Sequence, residues 1–172
     1  MKNQDIVVLS VLMKDGADRL SYQAIGKAAK ISISEAHASV RRLRECDLIN
    51  SEKNIKKHNV EEFLIHGLRY MFPMKLTGEQ VYGMPTSYAA PISASSFAVS
   101  GEVPVWSTPN GQVLGRSCEP IYPTAPEAAA EDPDLYDKLA VIDMLRGGRL
   151  RERKFAEQKL KEIMRKIPAG RD

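Results

Sequence analysis

The chain has 172 residues, 27% of them charged and 43% hydrophobic. That is ordinary for a soluble globular protein and enough for one compact domain, or a small domain with an extension. The two cysteines, Cys46 and Cys118, lie far apart in no C-x-x-C spacing, so neither a disulfide framework nor a zinc site is suggested.

The net charge of +3 is unevenly placed. Residues 1–72 hold 12 Lys/Arg against 9 Asp/Glu, residues 73–145 hold 3 against 9, and residues 146–172 hold 10 against 4. An acidic middle between basic ends suits a protein that offers both ends to a polyanion, although a basic tail is also what a solvated helix face looks like. The apolar run at residues 6–13 is too short for a membrane span and lacks a small-residue cleavage site, which points to a cytoplasmic protein with no membrane partner.

In chain order, residues 5–14 carry a β-branched Ile-Val-Val-Leu run that fits a strand or a helix. Residues 15–18 read as a turn, and Arg19-Leu20 as a minimal strand. Ser21 opens an Ala-rich helix to about residue 30, with Ile25 and Ala29 spaced i, i+4 toward the next helix. Ile31 and Ile33 are placed to plug the angle between two crossing helices. Ser34 is a candidate N-cap of the second helix, whose Ala36, Val40 and Leu43 recur at i, i+4 and i+7. Its opposite side carries Ser34, Ala38, Arg41, Arg42 and Glu45, with His37 on the flank. Leu48-Ile49-Asn50 then predicts a strand, residues 51–54 a turn, and residues 55–58 a returning strand. Together they make a short wing, basic at Lys53, Lys56 and Lys57. Asn59 and Glu62 have capping-box spacing before a helix over residues 60–71, with Phe63, Leu64, Gly67, Leu68 and Met71 on one face. Phe72-Pro73 ends it.

Residues 73–104 change character. Gly, Pro, Ser, Thr and Ala dominate, and the segment reads as an extended, partly ordered linker carrying Tyr82, Tyr88 and Phe97. Residues 103–122 predict a β-hairpin around Asn110-Gly111, because both turn residues accept positive φ. Asp132-Pro133 starts a helix with Leu135, Leu139 and Ile142 on its apolar stripe, broken at Gly147-Gly148. Residues 149–167 are the longest helical signal, stopped by Pro168-Ala169-Gly170. Its apolar stripe is Ala156, Leu160, Ile163 and Ile167, and a separate basic stripe is Arg151, Lys154, Lys161 and Arg165.

The pieces L-S-Y-Q-A-I-G-K-A, I-S-I-S-E-A-H-A-S-V-R-R-L and C-D-L-I, within residues 5–60, resemble the helix-turn-helix of MarR-type winged-helix bacterial regulators. That family commonly has Gly just before the strand, where this chain has Cys46-Asp47. Asp accepts the left-handed conformation better than most residues. The resemblance implies a helical reading of residues 5–14, a second helix in the major groove, a β-wing and a dimer on a pseudo-palindrome.

The expected architecture is therefore α+β and mainly helical: a winged helix-turn-helix domain (1–72), an extended linker (73–104), and a β-hairpin with C-terminal helices (105–172). The expected function is a sequence-specific DNA-binding transcriptional regulator. Its expected DNA-binding residues are Ser34, Glu35, His37, Ala38, Arg41, Arg42, Lys53, Lys56 and Lys57. Arg41 and Arg42 suit phosphates or guanine edges, the competing use being ion pairs with Glu35 and Glu45. The basic stripe of the last helix is a possible contact for a polyanion or partner protein. Its apolar stripe must pack on its own domain or on a second copy, and the seam spacing favours a homodimer. The alternative is an interaction module, such as the antitoxin or adaptor half of a toxin–antitoxin pair. No catalytic constellation, cofactor motif or metal-ligand spacing appears, so an enzyme is not expected. His37, His58 and His66 read as surface or wing residues. Cys46 reads as a redox switch at the helix end or, more simply, a small buried hydrophobe.

Overall fold

A computed structural model describes residues 1–97 and 102–168. Residues 98–101 of the expected linker, and Ala169-Gly170 of the expected helix stop, lie outside the described residues. The architecture is α+β and mainly helical. The helices are α1 (Asn3–Leu12), α2 (Tyr22–Ala29), α3 (Ile33–Glu45), α4 (Lys57–Glu62), α5 (Leu68–Met71), α6 (Ala125–Glu131), α7 (Pro133–Gly147) and α8 (Leu150–Lys166); the strands are β1 (Leu76–Pro85), β2 (Pro104–Ser107) and β3 (Val113–Cys118).

The β-branched run at the start is helical because it is central. Every residue from Asp5 to Leu12 is buried, and a helix that is apolar all round belongs in a core. Burial outweighs the modest propensity penalty of Ile and Val. The second such helix is α7, buried from Lys138 through Arg146, and it packs on α1. A hydrophobic core runs from Ile6 through Trp106 to Ile167, so residues of the first helix and the last share one interior. No helix among the described residues is long and apolar enough to cross a membrane.

The segment expected to be a linker supplies the longest strand. β1 pairs antiparallel with β2 through Gly83↔Ser107 and Pro85↔Val105, and antiparallel with β3 through Leu76↔Cys118 and Tyr82↔Leu114. β2 and β3 then pair in parallel, Pro104↔Arg116 and Val105↔Ser117, closing a three-stranded barrel. This corrects the expected hairpin. The turn chemistry is present, since the Gly111 amide donates to the Thr108 carbonyl at 3.0 Å. The antiparallel partner of both strands, however, is β1. Closure needs glycine where strands converge: a Cβ on Gly83 would lie 2.1 Å from the Trp106 carbonyl oxygen, and one on Gly115 2.2 Å from that of Val103.

A buried carboxylate ties the barrel to α7. Asp143 Oδ2 accepts from the Thr86 hydroxyl at 2.7 Å and the Trp106 indole at 2.8 Å, and its Oδ1 accepts from Arg146 Nε at 2.7 Å. Arg146 continues to the Glu119 carbonyl at 2.5 Å. With Asp143 fully buried and Arg146 nearly so, each charge depends on the other.

Helix starts follow the capping chemistry where the cap is local. Asp132 Oδ1 accepts from the amides of Asp134 and Leu135, and Leu135, Leu139 and Ile142 are buried as their stripe requires. The residue 60–71 helix starts earlier than expected, at Lys57, and passes through a π turn at Phe63–Gly67 before α5. Asn59 lies inside α4 rather than capping it, and donates to the carbonyl and carboxylate of Asp47. Arg19 lies in a 3-10 turn, Ala17–Arg19, instead of a strand.

Candidate nucleic-acid interface

Two helices and a three-residue turn form the unit around which the expected site is built. Ser21 caps α2, its hydroxyl accepting from the Ala24 amide at 3.1 Å. α2 ends with Lys30 in the left-handed region, φ 57°, and the Lys30 ammonium is held by Glu131 and Glu127 of α6. Gly26 lets the turn close on α2, since a Cβ there would sit 2.9 Å from the Ile31 carbonyl oxygen. Ile31 packs against the core, whereas Ile33, expected to do the same, is 55% exposed.

α3 is capped two residues earlier than expected. Ser32, not Ser34, is the N-cap: its hydroxyl accepts from the Glu35 amide at 3.2 Å, and the Glu35 carboxylate accepts from the Ser32 amide at 3.0 Å. The Ser32 hydroxyl, which donates to that carboxylate at 2.7 Å, and the Ser32 amide hold the Glu35 carboxyl below the usual carboxylate range. Glu35 is thus occupied at the cap, while Ser34 is left exposed in the first turn. Ala36, Val40 and Leu43 are buried as predicted.

The arginine pair divides. Arg41 is exposed and makes an i, i+4 contact to Glu45 at 3.7 Å. Arg42 turns inward and grips the buried Asp5 of α1 with Nε and Nη2 at 2.8 and 2.6 Å, Nη2 also reaching Ser39 at 3.1 Å. Burial alone would raise the Asp5 pKa. The hydrogen bonds from Arg42, the Lys2 amide and Ser39 outweigh it and hold the carboxyl low. Arg42 therefore does not belong to an outward-facing pair: the helical wheel put it on the polar side, but α1 crosses that side.

The exposed face of α3 carries Ser34, His37 and Arg41, with Ala38 half-buried between them. His37 meets the Tyr22 ring edge-on, centroids 4.7 Å apart, and the Lys53 ammonium lies 6.0 Å from the same ring. Tyr22, at the start of α2, thereby joins α3 to the loop after it. Its place in the first turn of the preceding helix was legible, but nothing local indicated where its ring would point. Arg44, also unforeseen, donates to the Ser51 carbonyl at 2.8 Å and fixes that loop to α3.

The wing is reduced to a tight loop on one bridge, Ile49↔Ile55. Asn50 organises it: Oδ1 accepts from the amides of Glu52 and Asn54, both at 3.0 Å, so a side chain does the work of a second strand. Lys53 sits at its tip with φ 71°. Lys56 is drawn to Asp47 at 2.5 Å, and the Lys56 ammonium lowers the Asp47 pKa. Lys57 is in α4 and donates to the Ile167 carbonyl, which removes it from the expected basic loop. His58 likewise belongs to α4. Asp47 has φ 57°, the left-handed role expected of it at the end of α3, with the Leu48 amide reaching back to the Leu43 carbonyl at 3.0 Å. Cys46 is exposed rather than buried.

The C-terminal stripes resolve differently. Of the expected stripe, Ala156 and Leu160 are buried, Ile167 is 8% exposed and Ile163 is half-buried, with Met164 buried beside them; α8 packs on α7 and α4 of the same chain. Most of the apolar stripe is thus covered within the chain, which leaves little of it for the homodimer seam expected through α8. Arg151, Lys154, Lys161 and Arg165 are exposed, Arg151 lying over the Phe97 ring at 5.4 Å. No group of three or more His, Cys, Asp or Glu among the described residues is arranged to hold a metal ion. Comparison with known proteins gives no match to a family model, a characterised protein or a solved structure.

Proposed function

We propose that the chain is a sequence-specific DNA-binding transcriptional regulator whose α3 enters the major groove. One observation carries this reading: the second helix of a capped helix–turn–helix presents Ser34, His37, Ala38 and Arg41 outward, flanked by Lys53 on the following loop. Such a helix fits a major groove, and an exposed arginine fork matches a guanine edge or a phosphate. Lys53 and the α2 N-terminus are suited to the adjoining phosphates. A regulator of this kind reads a two-fold site as a dimer. With most of the α8 stripe covered within the chain, the exposed Tyr70 and Met71 at the end of α5, 77% and 53% exposed, are the better candidates for that seam.

Selection of duplexes from a random pool, followed by a salt titration on the best one, tests the proposal. A regulator yields an enriched motif and an affinity falling steeply with salt. An adaptor or antitoxin half, the competing use of the same unit, yields no enriched motif and little duplex binding.

A further inference from the structure

A cavity lies far along the chain from α3. It has a volume of about 460 Å³ and is walled by β1, β3, the 87–97 segment and the junction of α7 with α8. That size is ordinary for a small-ligand site. Its charged lining is Arg116, Arg149, Glu102 and Glu152, two of each sign among the described residues. Met74, Leu76, Phe97 and Pro104 supply an apolar wall.

The positive groups are under-used. Arg116 meets Glu102 only at 3.9 Å, and its Nε is enclosed without a hydrogen-bond partner. The rest of the Arg116 side chain is 41% exposed, so its guanidinium keeps donors for an acceptor brought into the cavity. Glu152 is committed, accepting from the Arg149 amide at 2.7 Å, and among the described residues the Glu102 carboxylate has that one long contact to Arg116. Ser87 on the same wall is almost fully buried yet has φ 53°. It is held there by its carbonyl, which accepts from the Ser93 hydroxyl at 3.1 Å and the Ala90 amide at 3.2 Å. Such imposed strain clusters at ligand sites.

We propose that this cavity binds an α-amino acid with an apolar side chain: the carboxylate taken by Arg116 and Arg149, the ammonium by Glu102, and the side chain by the Met74–Phe97 wall. A lining with charges of both signs favours a zwitterion over a dianion such as phosphate, which would leave the Glu102 carboxylate facing a like charge instead of an ammonium. The inference stands apart from the DNA reading, because nothing in it involves α3.

Calorimetry of the full chain, without DNA, against L-leucine and L-phenylalanine tests it, with 4-methylpentanoate and 3-methylbutan-1-amine as controls. The expected result is saturable binding of an amino acid and neither control, weakened about tenfold or more by Arg116→Gln and by Arg149→Gln. Arg149 is exposed, so its variant remains informative where Arg116→Gln fails to fold. Glu102→Gln should erase the preference for leucine over 4-methylpentanoate. No binding of either amino acid at millimolar concentration, equal binding of the deaminated acid to the wild type, or undiminished binding by the Arg149 variant would overturn the proposal.

Discussion

Arg42 of α3 holds Asp5 of α1 through two hydrogen bonds, at 2.8 and 2.6 Å, with the carboxylate fully buried. This pair sets how α3 lies on the core, and so where Arg41, one residue before it, points. Removing the guanidinium leaves a buried carboxylate short of donors. Arg42→Ala should therefore destabilise the fold by about 2–4 kcal/mol, measured by urea denaturation.

The same pair predicts a pH dependence. The Asp5 pKa is lowered in the folded state by Arg42, the Lys2 amide and Ser39 against the opposing pull of burial. Its stabilising contribution is complete above the unfolded value, about 4, and is lost as pH falls through the lower folded value. Stability should fall as the pH drops below about 4, with a shallower fall in Asp5→Asn; equal slopes in both proteins would rule this account out.

On the proposed DNA face the two arginines should separate cleanly. Arg41→Ala is expected to cost roughly 1–3 kcal/mol of specific binding with unchanged stability. Arg42→Ala should show its main effect in unfolding. Paired binding isotherms and melts on the selected duplex check this, and wild-type affinity in Arg41→Ala would remove α3 as the reading helix.

Among the described residues, Lys53 of the loop makes no ion pair or carbonyl contact, whereas Lys56 is paired with Asp47. Lys53→Gln should reduce the salt slope of duplex binding by about one unit. Lys57→Gln, in α4 beside the Ile167 carbonyl, should leave the slope alone. A change of slope in the second variant and none in the first would place the phosphate contact on α4.

Asp143 is the other buried anchor, and Trp106 is the chain's single tryptophan, so its fluorescence reports on that site alone. Asp143→Ala strips acceptors from the indole, Thr86 and Arg146 together, and should cost about 3–5 kcal/mol. The native emission of Trp106 should shift as the barrel loosens from α7. An unshifted spectrum with native stability would mean that Arg146 and the indole find other acceptors.

What the sequence determined by itself is whatever depends on residues a few positions apart. The two-helix unit with Ile25, Val40 and Leu43 inward, the Asp132 cap, the break at Gly147-Gly148 and the left-handed Asp47 all follow from side chains acting on their own backbone. Tertiary structure decided the rest. β1 could not be read in residues 76–85, because its composition looks like a linker until Gly83 is seen admitting two strands at once. The Asn110-Gly111 turn was legible, but a turn does not say which strands pair beyond it. Arg41 and Arg42 are adjacent and chemically identical, and a helical wheel ranks them together. Only the crossing of α1 turns one into an internal ion pair and leaves the other to solvent. The α8 stripe had to be buried from its spacing alone, but whether by α7 and α4 or by a second copy depends on where the chain returns, which no local pattern encodes.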